Sequence, residues 1–321
     1  MAHIQILNDG TASGRAQLLL HLQHARTEAE RIGDQAAAIL IEMLQGLYPS
    51  RAQDEHDPRA WIAPVSASAP LKVFFFGTFQ TFLGTSPVLN WRKKSQAVLQ
   101  YLVMHRAMPV HRDQLLTLFW PDADPRSGRN SLNVTLHALR RALESSEAGS
   151  AGDELLQFTD EHYHFGSALQ VWTDIDMFAE HVLQAQAAKR TASQEDVIAH
   201  YQAAAQLYRG DFLQEFRYED WTLGYRERLQ TTYMEVLSDL SQLYADTGEY
   251  QRALDCSRKL LERDTCFEEA HCQMMRCYAA LGQRSLALRQ YTIGRETLAR
   301  ELGIEPLEST TRLYEQIKLG T

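Results

Sequence analysis

The chain has 321 residues, 45% of them hydrophobic and 23% charged, with a formal net charge of −9. That length allows two or three domains with cores of their own, and the ordinary apolar content excludes wholesale disorder. No apolar run approaches the roughly 18 residues of a membrane span, and the first thirty residues lack the basic start and apolar core of a signal peptide.

Residues 1–62 read as a helical extension. Leu18, Leu19, Leu22 and Ala25 mark one amphipathic helix, and Ala37, Leu40, Ile41 and Leu44 a second, on either side of Gly33-Asp34. Ala38, five residues after Gly33, fits a degenerate repeat hairpin. Residues 63–70, with Pro64, Ser66, Ser68 and Pro70, have the composition of a linker. From Leu71 to Leu83 a Phe-rich stretch predicts a strand pair, with a third short strand at Val88–Trp91. Three helices follow, at Lys93–His105, Arg112–Phe119 and from Pro125 to about Leu143. A polar break at 145–152 precedes a hairpin, Leu155–Phe158 with His162–Phe165. Sheet, three helices and a hairpin are the order of a winged helix-turn-helix, placed at residues 71–173.

From residue 174 to 321 the pattern is helical and it repeats. Tyr244 and Tyr278, Gly248 and Gly282, Ala253 and Ala287, and Leu254 and Leu288 each stand 34 residues apart, the tetratricopeptide period. An earlier copy is expected with Ala199 in the place of Ala253. The predicted fold class is therefore mainly α: a winged helix-turn-helix (α+β), then an all-α tetratricopeptide-like repeat domain, with a short N-terminal helical hairpin.

The charge is unevenly divided. Residues 1–70 carry a net −3, residues 174–321 a net −7, and residues 71–173 a net +1. The stretch from Arg126 to Arg141 holds four arginines and no acid, and Arg92-Lys93-Lys94 adds three adjacent cations. Local potential, more than total charge, governs an encounter with phosphates. On a helical wheel Leu132, Leu136, Leu139 and Leu143 fall within an arc of about 60°, a core stripe. Opposite lie Arg126, Ser127, Asn130, Asn133, Val134, His137 and Arg141. Arg suits guanine edges, Asn suits adenine edges, and Val134 suits a thymine methyl. Arg129, Arg140, Arg92, Lys93 and Lys94 are expected on backbone phosphates, and the helix N-terminus at Ser127 is expected to offer amides to another.

The stretches Trp91 to Leu102, Arg112-Asp113-Gln114-Leu115 with Trp120-Pro121, and Ser127 to Leu143 resemble the DNA-binding half of SARP-type bacterial regulators. Asp174-Ile175-Asp176-Met177-Phe178, Tyr208-Arg209-Gly210-Asp211-Phe212-Leu213 and Glu301-Leu302-Gly303-Ile304-Glu305-Pro306 resemble the bacterial transcriptional activation domain (BTAD) that follows it. The resemblance covers residues 71–318. It implies a non-enzymatic transcription activator that binds double-stranded DNA at direct repeats, self-associates head to tail and contacts RNA polymerase. Two features depart from that family: the acidic wing tip, Asp160-Glu161, and the 70 residues before the first strand. A carboxylate at the wing tip argues against close minor-groove contact.

No P-loop, His-Glu-x-x-His or Gly-x-Ser-x-Gly motif is present, and no cofactor or metal is expected. Cys256, Cys266, Cys272 and Cys277 are spaced unlike a metal site and read as structural thiols of a reduced, cytoplasmic protein. The acidic repeats are expected to face away from DNA. Trp221, Tyr225, Arg226 and Arg228 are either core or a partner surface. Two rival readings remain open: a ligand-sensing repressor, and a repeat scaffold whose winged helix binds protein.

Overall fold

The computed structural model describes residues 71–320 except 85, 90, 145–154, 167–168, 192 and 217–218. The expected N-terminal hairpin, the linker and the polar break lie outside the described residues. The rest divides into two compact units. The first ends at Asp176 and also takes in a segment starting at Leu213; the second holds Met177–Phe212 and the C-terminal remainder.

In the first unit, β1 (Leu71–Phe74), β2 (Gln80–Leu83), β3 (Ser86–Pro87) and, late in the chain, β7 (Val171–Thr173) form a sheet of order β3-β2-β1-β7. Leu71 and Val73 are buried while Lys72 is exposed, the alternation of a sheet with one face on a core. The third strand is two residues earlier than the sequence suggested. Gly84, at φ 64°, turns the chain at once, so Leu83 meets Ser86 and Phe82 meets Pro87. The aromatic expected in that strand, Trp91, instead donates its indole N–H to Thr81 Oγ1 at 3.0 Å.

Three helices follow as expected: α1 (Lys93–Met104), α2 (Arg112–Phe119) and α3 (Pro125–Glu144). Leu99, Leu102, Leu115, Phe119, Leu132 and Leu139 from the three are all at most 2% exposed. Between α1 and α2 lies a strand the sequence did not announce, β4 (Val110–His111). It pairs with the hairpin β5 (Leu156–Thr159) and β6 (His162–Phe165) in a second sheet of order β4-β6-β5. The first sheet is closed by Asp174, which is fully buried and whose carboxylate accepts the amides of Phe75 and Phe76. Leu213 returns to the same strand end, its amide donating to the Phe75 carbonyl at 2.9 Å.

The helices that follow are α4 (Asp174–Thr191), α5 (Gln194–Leu207), α6 (Asp220–Asp246), α7 (Tyr250–Arg263), α8 (Glu268–Ala280), α9 (Arg284–Glu301) and α10 (Glu308–Leu319). The 34-residue period is a repeated helix stop. Gly248 (φ 79°) and Gly282 (φ 72°) take the left-handed conformation, and the next residues, Glu249 and Gln283, donate back to Tyr244 and Tyr278. Ala253 and Ala287 are wholly buried, and Ser241 Oγ reaches the Ala253 carbonyl at 2.9 Å.

The earlier copy has a different register from the one expected. Ala199 is exposed, whereas Val197, Ile198, Tyr201 and Ala204 are buried, matching Ala253, Leu254, Ser257 and Leu260. Aligning small residues by type misled, because the buried position that matches Ala253 is Val197, not an alanine.

The Tyr208-Arg209-Gly210-Asp211-Phe212 segment builds a cluster within the second unit. Tyr208 stacks on Tyr233 with centroids 4.1 Å apart, and the Arg263 guanidinium lies over both rings. Arg263 and the Tyr208 hydroxyl both donate to Asp211 Oδ1, at 2.6 and 3.0 Å. Burial pushes the Asp211 carboxyl up, but these two hydrogen bonds, with the charges of Arg263 and Arg226, outweigh it and hold the group below its ordinary range. Trp221 packs edgewise and Tyr225 at a tilt against Phe212, and Arg226 donates to the Phe212 carbonyl, so these half-buried side chains contribute to internal packing. Cys256, Cys272 and Cys277 are buried, and burial raises the Cys256 thiol to about 11. Among the described residues no helix is long and apolar enough to cross a membrane.

Candidate nucleic-acid interface

The local sequence explains where α3 starts. Asp124 Oδ1 accepts the amides of Arg126 and Ser127 at 3.1 and 3.0 Å, and Pro125 stands first in the helix, where its missing N–H costs nothing. This corrects one expectation: the amides at Ser127 already hold a carboxylate and do not wait for a phosphate. The helix then divides cleanly. Leu132, Leu136, Leu139 and Leu143 are at most 2% exposed, and Thr135 is buried with its carbonyl accepting Ser95 Oγ of α1. Gly128 is buried, with Leu116 and Ala123 filling the space beside it at ordinary contact distance.

Arg126, Ser127, Arg129, Asn130, Asn133, Val134, His137 and Arg141 are all exposed, Val134 to 54%. The structure therefore brings these side chains together on one acid-free face. Among the described residues that face opens onto a cleft of about 780 Å³ lined by Arg126, Ser127, Arg129, Asn130 and Asn133, with Asp124 and Pro125 at its helix-start end.

The other expected cations have different surroundings. Arg140 is half-buried and donates from Nη2 to the Leu156 carbonyl at 3.0 Å, tying α3 to β5. Lys94 donates to the Phe119 carbonyl at 2.9 Å and lies 5.7 Å over the Phe119 and Trp120 rings, tying α1 to the end of α2. Both charges do structural work. Arg92 and Lys93 are exposed at the start of α1.

The hairpin beside α3 turns on Asp160 and Glu161, both at positive φ, 49° and 66°. Such a two-residue turn usually takes Asn-Gly, so two bulkier residues are held there by their surroundings. The Arg112 amide donates to the Glu161 carbonyl at 2.8 Å, and the two side chains form an ion pair. At the same place His111 caps α2: its Nδ1 accepts the Asp113 amide while Gln114 Oε1 accepts the His111 amide. Arg112 was read in the sequence only as part of a family motif. Its partner lies 49 residues away, a pairing that no local pattern announces.

Two family models match the chain in the order its units run: the C-terminal domain of transcriptional regulatory proteins at residues 86–155, and the bacterial transcriptional activator domain at 173–318. The transcriptional regulatory protein MoaR1 of Mycobacterium tuberculosis is 25% identical over 224 residues, which are 70% of this chain and 71% of that one. The transcriptional regulatory protein EmbR of the same species is 27% identical over 254 residues, covering 75% of this chain and 61% of EmbR. The structure of M. tuberculosis EmbR with a low-affinity phosphopeptide superposes with a TM-score of 0.65 at 24% identity, over 79% of this chain and 66% of that one, a likeness of fold. Winged helix, repeat domain and the order of the two matched models agree, and with the named relatives they support a non-enzymatic, DNA-binding transcriptional activator of the SARP type.

Proposed function

We propose that α3 enters the major groove and reads base edges with Arg126, Asn130, Asn133, Val134, His137 and Arg141. The observation that carries this reading is the exposed, acid-free face opposite a fully buried leucine stripe. A helix evolved only for solvation would mix Glu with Arg, which adds i,i+4 pairs. The Ser127 hydroxyl, not its amide, meets a backbone phosphate together with Arg129, Arg92 and Lys93, and Lys94 and Arg140 add positive potential while holding α1 and β5 in place. Protomers bind direct repeats head to tail in the cytoplasm. The division 71–173 for DNA and 174–321 for partners is part of the same proposal.

The acidic repeat domain contacts RNA polymerase. Supporting this, α9 exposes Leu286 and Ile293, seven residues and about two turns apart, to 41% and 45%. Footprinting on genomic fragments tests the DNA reading directly, through operator sequence and half-site spacing. Contact with roughly six to eight phosphates predicts a log–log salt slope of about −5 to −7 per protomer. A flat slope sinks it. In transcription with purified polymerase, Leu286→Asp with Ile293→Asp is expected to abolish activation and leave the footprint intact.

A further inference from the structure

Between α3 and the β5–β6 hairpin lies a second cleft, of about 310 Å³. Its walls bring together three guanidinium groups that the sequence keeps apart: Arg112 from the first residue of α2, and Arg129 and Arg140 from α3. Asn133, Leu136, Phe158 and Tyr163 complete the lining. Arg129 and Asn133 also line the first cleft, so the two are continuous along the face proposed to meet DNA. Among the described residues no carboxylate lines this cleft, though those of Asp113 and Glu161 pair with Arg112 beside it. Arg140 and Arg112 are close enough to the buried Tyr163 that their charges oppose the rise that burial imposes on its hydroxyl.

Three clustered arginines repel one another and fit an oxyanion with several acceptor oxygens. One of them already has such a partner. The Glu161 carboxylate pairs with Arg112, whose Nε also lies 3.4 Å from the more exposed Asp113 carboxylate, and Glu161 itself stands at φ 66°. Arg112 is largely covered, at 20% side-chain exposure, whereas Glu161 is half exposed. The carboxylate therefore sits at the solvent side of the pair, where an arriving anion would displace it.

We propose that this cleft seats one DNA backbone phosphate, of the strand that separates the groove read by α3 from the hairpin, and that Glu161 stands in for that phosphate until DNA arrives. The inference rests on the docking of α3 proposed above. It assigns Arg112 to the interface and gives the acidic wing tip a role: an internal competitor that weakens binding to every sequence alike. Releasing it adds one cation to the contact.

The test is the affinity of the full chain for its footprinted operator and for unrelated duplex, measured across salt concentrations. Glu161→Gln is expected to tighten both about two- to fivefold, the scale of one exposed ion pair, and to steepen the salt slope by about 0.9. Arg112→Met is expected to weaken both, and adding Glu161→Gln to it should then gain nothing. Asp160→Asn removes the neighbouring carboxylate without touching Arg112 and serves as the charge control. An unchanged or lower affinity for a Glu161→Gln protein of normal melting temperature overturns the proposal. So does a gain that survives Arg112→Met, or one matched by Asp160→Asn. Stabilisation of DNA-free protein by millimolar inorganic phosphate, lost in Arg112→Met, would put a free phosphorylated ligand in the cleft instead. Loss of sequence preference altogether in the unaltered chain would indict the α3 docking, a result distinguishable from all of these.

Discussion

Asp174 holds Phe75 by its backbone: carboxylate Oδ1 accepts the Phe75 amide at 2.8 Å, across 99 residues of sequence. Its second oxygen takes the Phe76 amide at 3.0 Å, and all three groups are buried. A buried amide left without an acceptor costs the full desolvation of that group. Asp174→Ala is therefore expected to lower stability by about 3–5 kcal/mol, and Asp174→Asn, which keeps one acceptor, by about half of that. Urea denaturation measures both. A loss under about 1 kcal/mol for the alanine variant would show that the strand end is held otherwise.

Gln100 presents the opposite case. It is 0% exposed on α1, and neither its amide nitrogen nor its carbonyl oxygen finds a hydrogen-bond partner among the described residues. Replacing an unsatisfied buried amide with an apolar group of similar size removes a penalty. Gln100→Leu should raise stability by about 1–2 kcal/mol without altering operator affinity, read by thermal melting and by binding. A fall in melting temperature would mean that the Gln100 amide is hydrogen-bonded in the folded protein.

Acidification should loosen the fold through two histidines. Burial lowers the pKa of His105, opposed by its contact with the Tyr101 carbonyl. Burial also lowers His181, reinforced by the charge of His200 and opposed by Glu180. The Nδ1 atoms of His181 and His200 stand 3.2 Å apart, room for one shared proton. Because the folded pKa values lie below the unfolded value of about 6.5, the unfolded chain binds protons first. The stability these groups contribute is present above that pH and is lost as pH falls below it. Melting temperature should decline between pH 7.5 and 5.5, and His181→Gln should flatten the decline. An equal decline in that variant would acquit the pair.

Base reading and phosphate contact separate by mutation. Asn130→Ala is expected to relax preference at one base pair by about 1–3 kcal/mol and to spare the others. Lys93→Ala should weaken all sequences alike and reduce the salt slope by about 0.9. Selection from a randomised operator pool distinguishes the two. Uniform weakening by Asn130→Ala would remove it from the groove.

What the sequence made legible was periodic or local. Leu132, Leu136, Leu139 and Leu143 announced the buried side of α3 by spacing alone, and Gly248 and Gly282 announced two helix stops. Position 199 was misread because residue type stood in for burial, which only the partner helix decides. Asp124-Pro125 is a helix start signal in plain view, yet its consequence, that the first amides are already taken, concerns the side chain's aim. Arg112 with Glu161, Arg140 with Leu156 and Asp174 with Phe75 join segments that only tertiary structure brings together.

The division along α3 bears on how such a regulator changes targets. The side chains of Arg126, Asn130, Asn133 and His137 are exposed, with no hydrogen bond or ion pair among the described residues. Surface substitutions of that kind usually shift stability by no more than about 0.5 kcal/mol. Under the proposed docking, operator preference can drift one base pair at a time while the leucine stripe, Lys94 and Arg140 keep the scaffold folded. Each intermediate along such a path stays folded, so retargeting crosses no barrier of lost structure.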